Sequence, residues 1–272
     1  MARLVYAALM MWAATFAAFA QNAGGVAMNV SPEIVKELAP TGKLRAAINF
    51  GNSVLAQKDA AGAPVGISPD LARELGKRLG VPVELVTFEA AGKVFEGLKT
   101  NAWDIAFFAV EPVRAAEVEF TAPYVMIEGT YMAAKDSPLK VIADVDRPGI
   151  RIAVGVGSAY DLFLTRTIKN ATIVRAHTGG GSAMIELYRK EKLDVVAGVK
   201  QPLVDYAKNN PDMRVMDGHF QEIQQAMGTP KGRLAGARYL RAFVEDMKAS
   251  GFVAGALKRS NQDATVAPPA GG

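Results

Sequence analysis

Residues 104–110 read Asp-Ile-Ala-Phe-Phe-Ala-Val, an apolar run of strand length with a polar residue at its start and Glu111-Pro112 after it. A run without alternation is the pattern of a strand covered on both faces, the kind found in a parallel sheet. Arg114 follows just past its C-terminal end. In open α/β sheets ligands bind beyond the carboxyl ends of strands, and an arginine there offers a planar fork of donors to a carboxylate or phosphate. The other reading of Arg114 is a surface arginine that caps a loop.

Taken in order, the chain alternates strands with helices. Ser31-Pro32-Glu33 predicts a helix start, with Ser as cap, Pro in the first turn and Glu beside the positive end of the dipole. Strands are expected at Leu44–Ile48, Val81–Phe88, Ile150–Val154, Ala171–Arg175 and Leu193–Val199. Between them, Leu71, Leu75 and Leu79 recur at fours on one helix face, and Gly80 ends that helix. Further helices are expected over Ala91–Lys99, from Ala159 to about Lys169, over Ala183–Lys190, and across Leu234–Leu257. Gly157-Ser158-Ala159 sits at a helix N-terminus, where backbone N–H groups and the dipole favour an anion. It does not complete a dinucleotide fingerprint, because Asp161 follows where small residues are needed. Asn49–Ser53 lies past the first strand and reads equally as an Asn- and Gly-built turn or as a polar wall. Asn261–Gly272 lacks pattern, contains Pro268-Pro269, and is expected to be a disordered tail.

Met1–Ala20 has the form of a cleavable secretory signal: Arg3, an Ala-rich apolar core, and Ala18-Phe19-Ala20 before Gln21. Residues 21–30 read as a flexible leader. The chain has no cysteine, so no lipid is attached after the apolar core and no disulfide staples the fold. The net charge of +4 comes from scattered Lys and Arg rather than from a run, which argues against nucleic acid as a partner and mildly favours anionic ligands. His177 and His219 lack a second ligand at metal spacing, so no metal or cofactor is expected.

The order of a buried strand, Pro112, Arg114 and then Phe120-Thr121-Ala122-Pro123-Tyr124 resembles the family 3 extracellular solute-binding proteins, the periplasmic receptors of polar amino-acid ABC transporters. The likeness runs from about Leu44 to about Leu257 and includes the segment Gly66–Val86. It implies an α/β fold, a two-lobed periplasmic-binding-protein architecture of type II-like form. Each lobe would be a mainly parallel sheet flanked by helices, with a two-segment hinge. Residues 31–134 would form the first part of lobe 1, 135–224 lobe 2, and 225–260 the return through the hinge to lobe 1.

The resemblance also implies a site. Arg114 would hold a ligand carboxylate, beside Phe108 and Ala109 at the end of its strand, and Asn49 would add a polar contact. Gly157, Ser158 and Ala159 would meet the same carboxylate from the opposite lobe. The family usually carries an aspartate for the ligand's ammonium at the end of the last lobe-2 strand; here Val199 stands there, with Lys200 next as a candidate contact. An ammonium left without a carboxylate in a desolvated place is costly, so a keto acid, dicarboxylate or aromatic acid is expected in preference to an α-amino acid. The implied partners are that small carboxylate and a membrane ABC permease, for a monomeric periplasmic protein.

An enzyme on the same scaffold is the alternative. Cyclohexadienyl dehydratases resemble this family and use a buried carboxylic acid from the returning segment. That segment here, Ile223–Met227, carries Gln224 and Gln225, and an amide is no general acid. A sensor domain is the third class, and the segment after Leu257 carries neither an anchor nor a kinase region.

Overall fold

The computed structural model describes residues 29–177 and 181–271. The expected signal segment, most of the leader, and the middle of the Gly-rich stretch after His177 lie outside these residues.

Lobe 1 begins with α1 (Pro32–Leu38), whose cap Ser31 accepts the N–H of Ile34. Strand β1 (Leu44–Asn49) follows, then a two-residue hairpin of β2 (Gln57–Lys58) and β3 (Pro64–Val65). Helix α2 (Ile67–Leu79) buries Leu71, Leu75 and Leu79 and ends where Gly80 turns left-handed at φ 70°; each leucine buried there contributes about 2 kcal/mol. Then come β4 (Val83–Phe88), α3 (Ala91–Glu96), β5 (Ile105–Ala109) and the single turn α4 (Pro112–Ala115). Every residue of β5 is buried, as its unbroken apolar run requires. Its start is pinned by Asp104, fully buried, which accepts from Arg45 at 2.9 and 3.0 Å and from Arg233 at 3.1 Å.

Strand β6 (Val118–Ala134) runs for 17 residues out of lobe 1 and into lobe 2. Lobe 2 holds a 3-10 turn (Ile142–Asp144), β7 (Arg151–Gly155), α5 (Ala159–Thr167), β8 (Thr172–Ala176), α6 (Gly181–Glu191), β9 (Val195–Val199), α7 (Lys200–Asn209) and β10 (Met213–Val215). Strand β11 (Gln221–Pro230) carries the chain back to α8 (Leu234–Ala249), α9 (Phe252–Arg259) and β12 (Thr265–Val266).

The strands form one path, β4-β1-β5-β11-β6-β9-β7-β8, with β10 and β12 also on β6. The lobes repeat one layout: β1 lies parallel between β4 and β5, and β7 lies parallel between β8 and β9. Antiparallel β6 and β11 join them, paired from Gly129↔Gln221 to Val118↔Pro230. Each lobe has its own apolar core, one around Ile48, Phe107 and Phe243, the other around Val154, Val196 and Leu203. Two covalent crossings that are also hydrogen-bonded to each other permit rotation and resist sliding.

One expectation needs correction. Residues 261–271 are not a disordered tail: β12 pairs with Val125 and Met126 of β6, Ala267 is buried, and its N–H donates to the carbonyl of Tyr124 at 3.1 Å. Edge pairing uses backbone atoms, so a segment without an apolar pattern still docks. The stretch from Lys200, for which no element was expected, forms α7; Pro202 falls in its first turn, where a missing N–H costs nothing.

Candidate functional site

Because β5 is pinned at Asp104, its far end presents Ala109 and the α4 turn at the junction of the lobes. Arg114 is 1% exposed. Its guanidinium donates to the carbonyl of Ala109 at 2.9 Å and across the junction to the carbonyl of Gly157 at 2.8 Å, and it lies 5.1 Å from the ring centre of Phe108. Among the described residues no carboxylate pairs with it. Glu111 lies nearby and acts to stabilise the charge, but its own ion pair is with Arg166 at 2.7 Å. Burial therefore dominates and pushes the guanidinium down to about 10, still charged at neutral pH.

The facing turn belongs to lobe 2. Strand β7 ends at Gly155, Gly157 takes φ 70°, and Ser158 caps α5 by accepting the N–H of Asp161 at 3.1 Å. The carboxylate of Asp161 folds back onto the N–H of Gly157 at 2.8 Å and is held by Arg175 at 2.9 Å. Gly157 is thus committed at both ends, its N–H to Asp161 and its carbonyl to Arg114. The donors left open at this helix end are the N–H groups of Ala159 and Tyr160, the first two residues of α5, which have no acceptor within the helix.

Between Arg114 and this turn lies a cavity of about 50 Å³. Asn49, Phe108, Ala109, Arg114, Ser158 and Ala159 line it together. Asn49 and Asn52 each turn the side-chain oxygen onto a backbone N–H, of Gly51 at 2.9 Å and of Val54 at 3.2 Å. Their amide nitrogens are therefore what they have left to offer. Val199 and Ile223 form an apolar flank, and among the described residues no Asp or Glu lines the cavity. Gln225 lines it as well, 4% exposed, with an Oε1 that is buried and has no hydrogen-bond partner. Nothing local marked it in the sequence, because Gln221, Glu222 and Gln224 precede it on the same strand and it is the chain's pairing that turns this one inward.

Lys200 is placed elsewhere. It opens α7 and reaches Glu128 on β6 at 2.5 Å, in a cleft of about 710 Å³ beside the crossing strands. Phe50 does not stack into the cavity but lies under Lys58, at 4.6 Å. Lys93, in α3 near the junction, pairs with Glu96 at 2.7 Å on the surface.

The lobes are closed on one another. Besides Arg114–Gly157 and Glu111–Arg166, the backbones of Gly92 in α3 and Gly157 meet so closely that a Cβ on Gly92 would lie 2.9 Å from the carbonyl oxygen of Val156. Among the described residues no cluster of three or more His, Asp or Glu is placed to hold a metal, and no helix is long and apolar enough to cross a membrane.

Comparison with known proteins places this arrangement. The family model described as bacterial extracellular solute-binding proteins, family 3, matches residues 45–260. A mutant of ArgBP from T. maritima is 20% identical, with a TM-score of 0.72 over 84% of this chain and 99% of its own. A solute receptor for L-cysteine of Neisseria gonorrhoeae is 22% identical, with a TM-score of 0.71 over 81% and 90%. An ancestral amino-acid-binding protein, a precursor of cyclohexadienyl dehydratase, is 22% identical, with a TM-score of 0.69 over 83% and 98%. At these identities the structures show the shared two-lobed fold.

Proposed function

The chain belongs to the family 3 bacterial extracellular solute-binding proteins, and from that premise we propose that it captures a small carboxylate between its lobes and delivers it to an ABC permease. It is a binding protein, not an enzyme. The observation that carries the ligand class is Arg114: a buried cation whose hydrogen bonds, among the described residues, go to carbonyl oxygens and to no carboxylate. A charge taken out of water without a counter-charge is expensive, and a ligand carboxylate relieves that cost by charge-assisted bonds to a planar fork. The open N–H groups of Ala159 and Tyr160 would meet the same anion from lobe 2, aided by the helix dipole. Val199, where the family's aspartate usually stands, leaves no acidic partner for an ammonium, which favours an organic acid over an α-amino acid. The small cavity favours a short one.

An amino-acid ligand is the second reading, favoured by relatives named for arginine and cysteine. One panel decides. Purified protein is screened by thermal shift against short organic acids, keto acids, dicarboxylates, aromatic acids and amino acids, since a ligand of the native state raises Tm. Calorimetry follows on the hits with wild type and Arg114→Ala. The expected result is a response to acids lacking an α-amino group that Arg114→Ala abolishes while the variant's own unfolding stays cooperative. Undiminished affinity in that variant overturns the assignment. Release of the protein without residues 1–20 from secreting cells is the corresponding check on the cleavable signal.

A further inference from the structure

We infer that Asp161 is a positioning residue of the site: it fixes the peptide through which lobe 2 closes on lobe 1, and so sets how long a bound acid stays. The inference rests on the carboxylate reading of Arg114 and names a lobe-2 residue on which that site depends. Ser158 followed by Asp161 three residues later has the form of a capping box, in which the acidic side chain reaches back to the N–H of the cap residue itself. Here it does not. The N–H of Ser158 goes to the carbonyl of Gly155 at 3.1 Å, and the carboxylate of Asp161 takes the N–H of Gly157, one residue earlier, at 2.8 Å. That grip is braced. Asp161 is buried, its second oxygen accepts from Nε of Arg175 at 2.9 Å, and Arg175 in turn donates to the hydroxyl of Thr165 at 2.7 Å.

What the grip decides lies on the other side of the same peptide. The unit that carries the Gly157 N–H also carries the Val156 carbonyl, and in a planar trans unit the two point opposite ways. With the N–H turned towards Asp161, the Val156 carbonyl faces lobe 1, where a Cβ on Gly92 would meet its oxygen at 2.9 Å. The next unit, held by the Ser158 N–H on Gly155, sends the Gly157 carbonyl to Arg114 at 2.8 Å. Two contacts of this turn with lobe 1 therefore hang on how the peptides either side of Gly157 are oriented. Gly157 does not fix that by itself. It takes φ 70°, and glycine populates either sign of φ about as readily, so its own backbone leaves the Val156–Gly157 unit free to turn over. The carboxylate supplies the restraint that the glycine lacks. The same helix start presents Ser158, Ala159 and Tyr160 to the cavity opposite Arg114, so the turn that Asp161 holds is the one that meets the ligand.

The test exploits the lack of cysteine in the chain. Lys77→Cys and Lys208→Cys, at exposed lysines of α2 and α7, place one spin label on each lobe, and the distance between them reports closure. Acetate, pyruvate, succinate and benzoate are the probes, and the acid that wild type binds most tightly is carried through the variants. These are Asp161→Ala, Arg175→Met, and Asp161→Asn combined with Arg175→Met, where an amide oxygen remains for the Gly157 N–H and no arginine competes for it. The Tm of each variant without acid checks folding. Asp161→Ala is expected to weaken the acid about tenfold or more, in line with one charge-assisted hydrogen bond. The loss should lie in faster release, with capture little changed, and in a smaller closed fraction at saturation. Arg175→Met, which keeps the acceptor and loses its brace, should fall between wild type and Asp161→Ala, and the Asn combination should match it. Release rate and closed fraction that stay at wild-type values in Asp161→Ala, or in Arg175→Met should the alanine variant not fold, make Asp161 a helix cap only and overturn the inference. So does an Asn combination that releases the acid as fast as Asp161→Ala; in either case the carboxylate reading stands. Binding of none of the four acids overturns the carboxylate reading and this inference with it.

Discussion

Lys200 shows what a residue's neighbours in sequence conceal. Next to Val199 at the end of a strand, it stood where a ligand contact was expected, yet it is drawn to the crossing ribbon. There Glu128 and Glu222 sit directly opposite one another on β6 and β11, and like charges so placed repel. Lys200 at 2.5 Å neutralises Glu128 and, with His219 Nδ1 at 3.0 Å, holds its carboxyl below the usual range, the hydrogen bond from Lys200 being the largest cause. A carboxyl lowered on folding contributes stability above its unfolded pKa, about 4.3, and loses it as pH falls through the folded value. With the Glu128 side chain 38% exposed, screening keeps the effect small. Glu128→Gln is expected to cost less than about 1 kcal/mol at pH 7, and the difference from wild type should close below pH 4 in urea titrations. A gap that persists in acid would mean that shape, not charge, is what Glu128 provides. Arg114 was legible because its strand is a local apolar run; the pairing of Glu128 with Lys200 is 72 residues apart in sequence and had no local sign.

Among the elements, the contact between α3 and the β7–α5 turn controls whether the lobes can shut. Gly92 has ordinary helical geometry, so nothing in its own backbone demands glycine. The demand comes from lobe 2, whose Val156 and Gly157 backbones lie where its side chain would be. The Gly157-Ser158-Ala159 turn was readable as a helix start, and its resemblance pointed to the ligand. The commitment of the Gly157 N–H to Asp161 was not readable, because it depends on a side chain folding back one turn. Gly92→Val therefore separates folding from closure. Lobe 1 should be as stable as before or slightly more so, since a helical glycine is replaced. Overpacking at the junction costs about 1–3 kcal/mol, so affinity should fall by about tenfold or more. Small-angle scattering should show ligand compacting wild type but not the variant. Equal compaction would place the closure contact elsewhere.

For the molecule as a whole, the last strand ties the C-terminal segment to the long strand that both lobes share. β6 pairs with β9 from Gly129 onward, and β12 covers the same strand at Val125 and Met126, next to where lobe 2 begins. Without β12 that stretch of β6 would present unpaired backbone groups, a template for another chain. The segment is further held by Lys248, which donates to the carbonyl of Pro268 at 2.8 Å and to that of Pro123 at 3.2 Å, so one ammonium clasps the tail to β6. Composition reads such a segment as disordered because it counts side chains, whereas the docking is made by main-chain bonds, one buried alanine and a lysine from α8. Removing residues 262–272 should thus act on stability and association together. Loss of the strand bonds and of Ala267 burial is expected to cost about 1–3 kcal/mol, or roughly 2–8 °C in Tm for a chain of this size. The exposed edge should make the truncated protein self-associate as concentration rises. Light scattering alongside calorimetry checks both, and Lys248→Met in the full-length chain gives the intermediate case, with the tail loosened but still covering β6. A truncated protein that melts with wild type and stays monomeric would mean that β12 contributes nothing to the crossing strands.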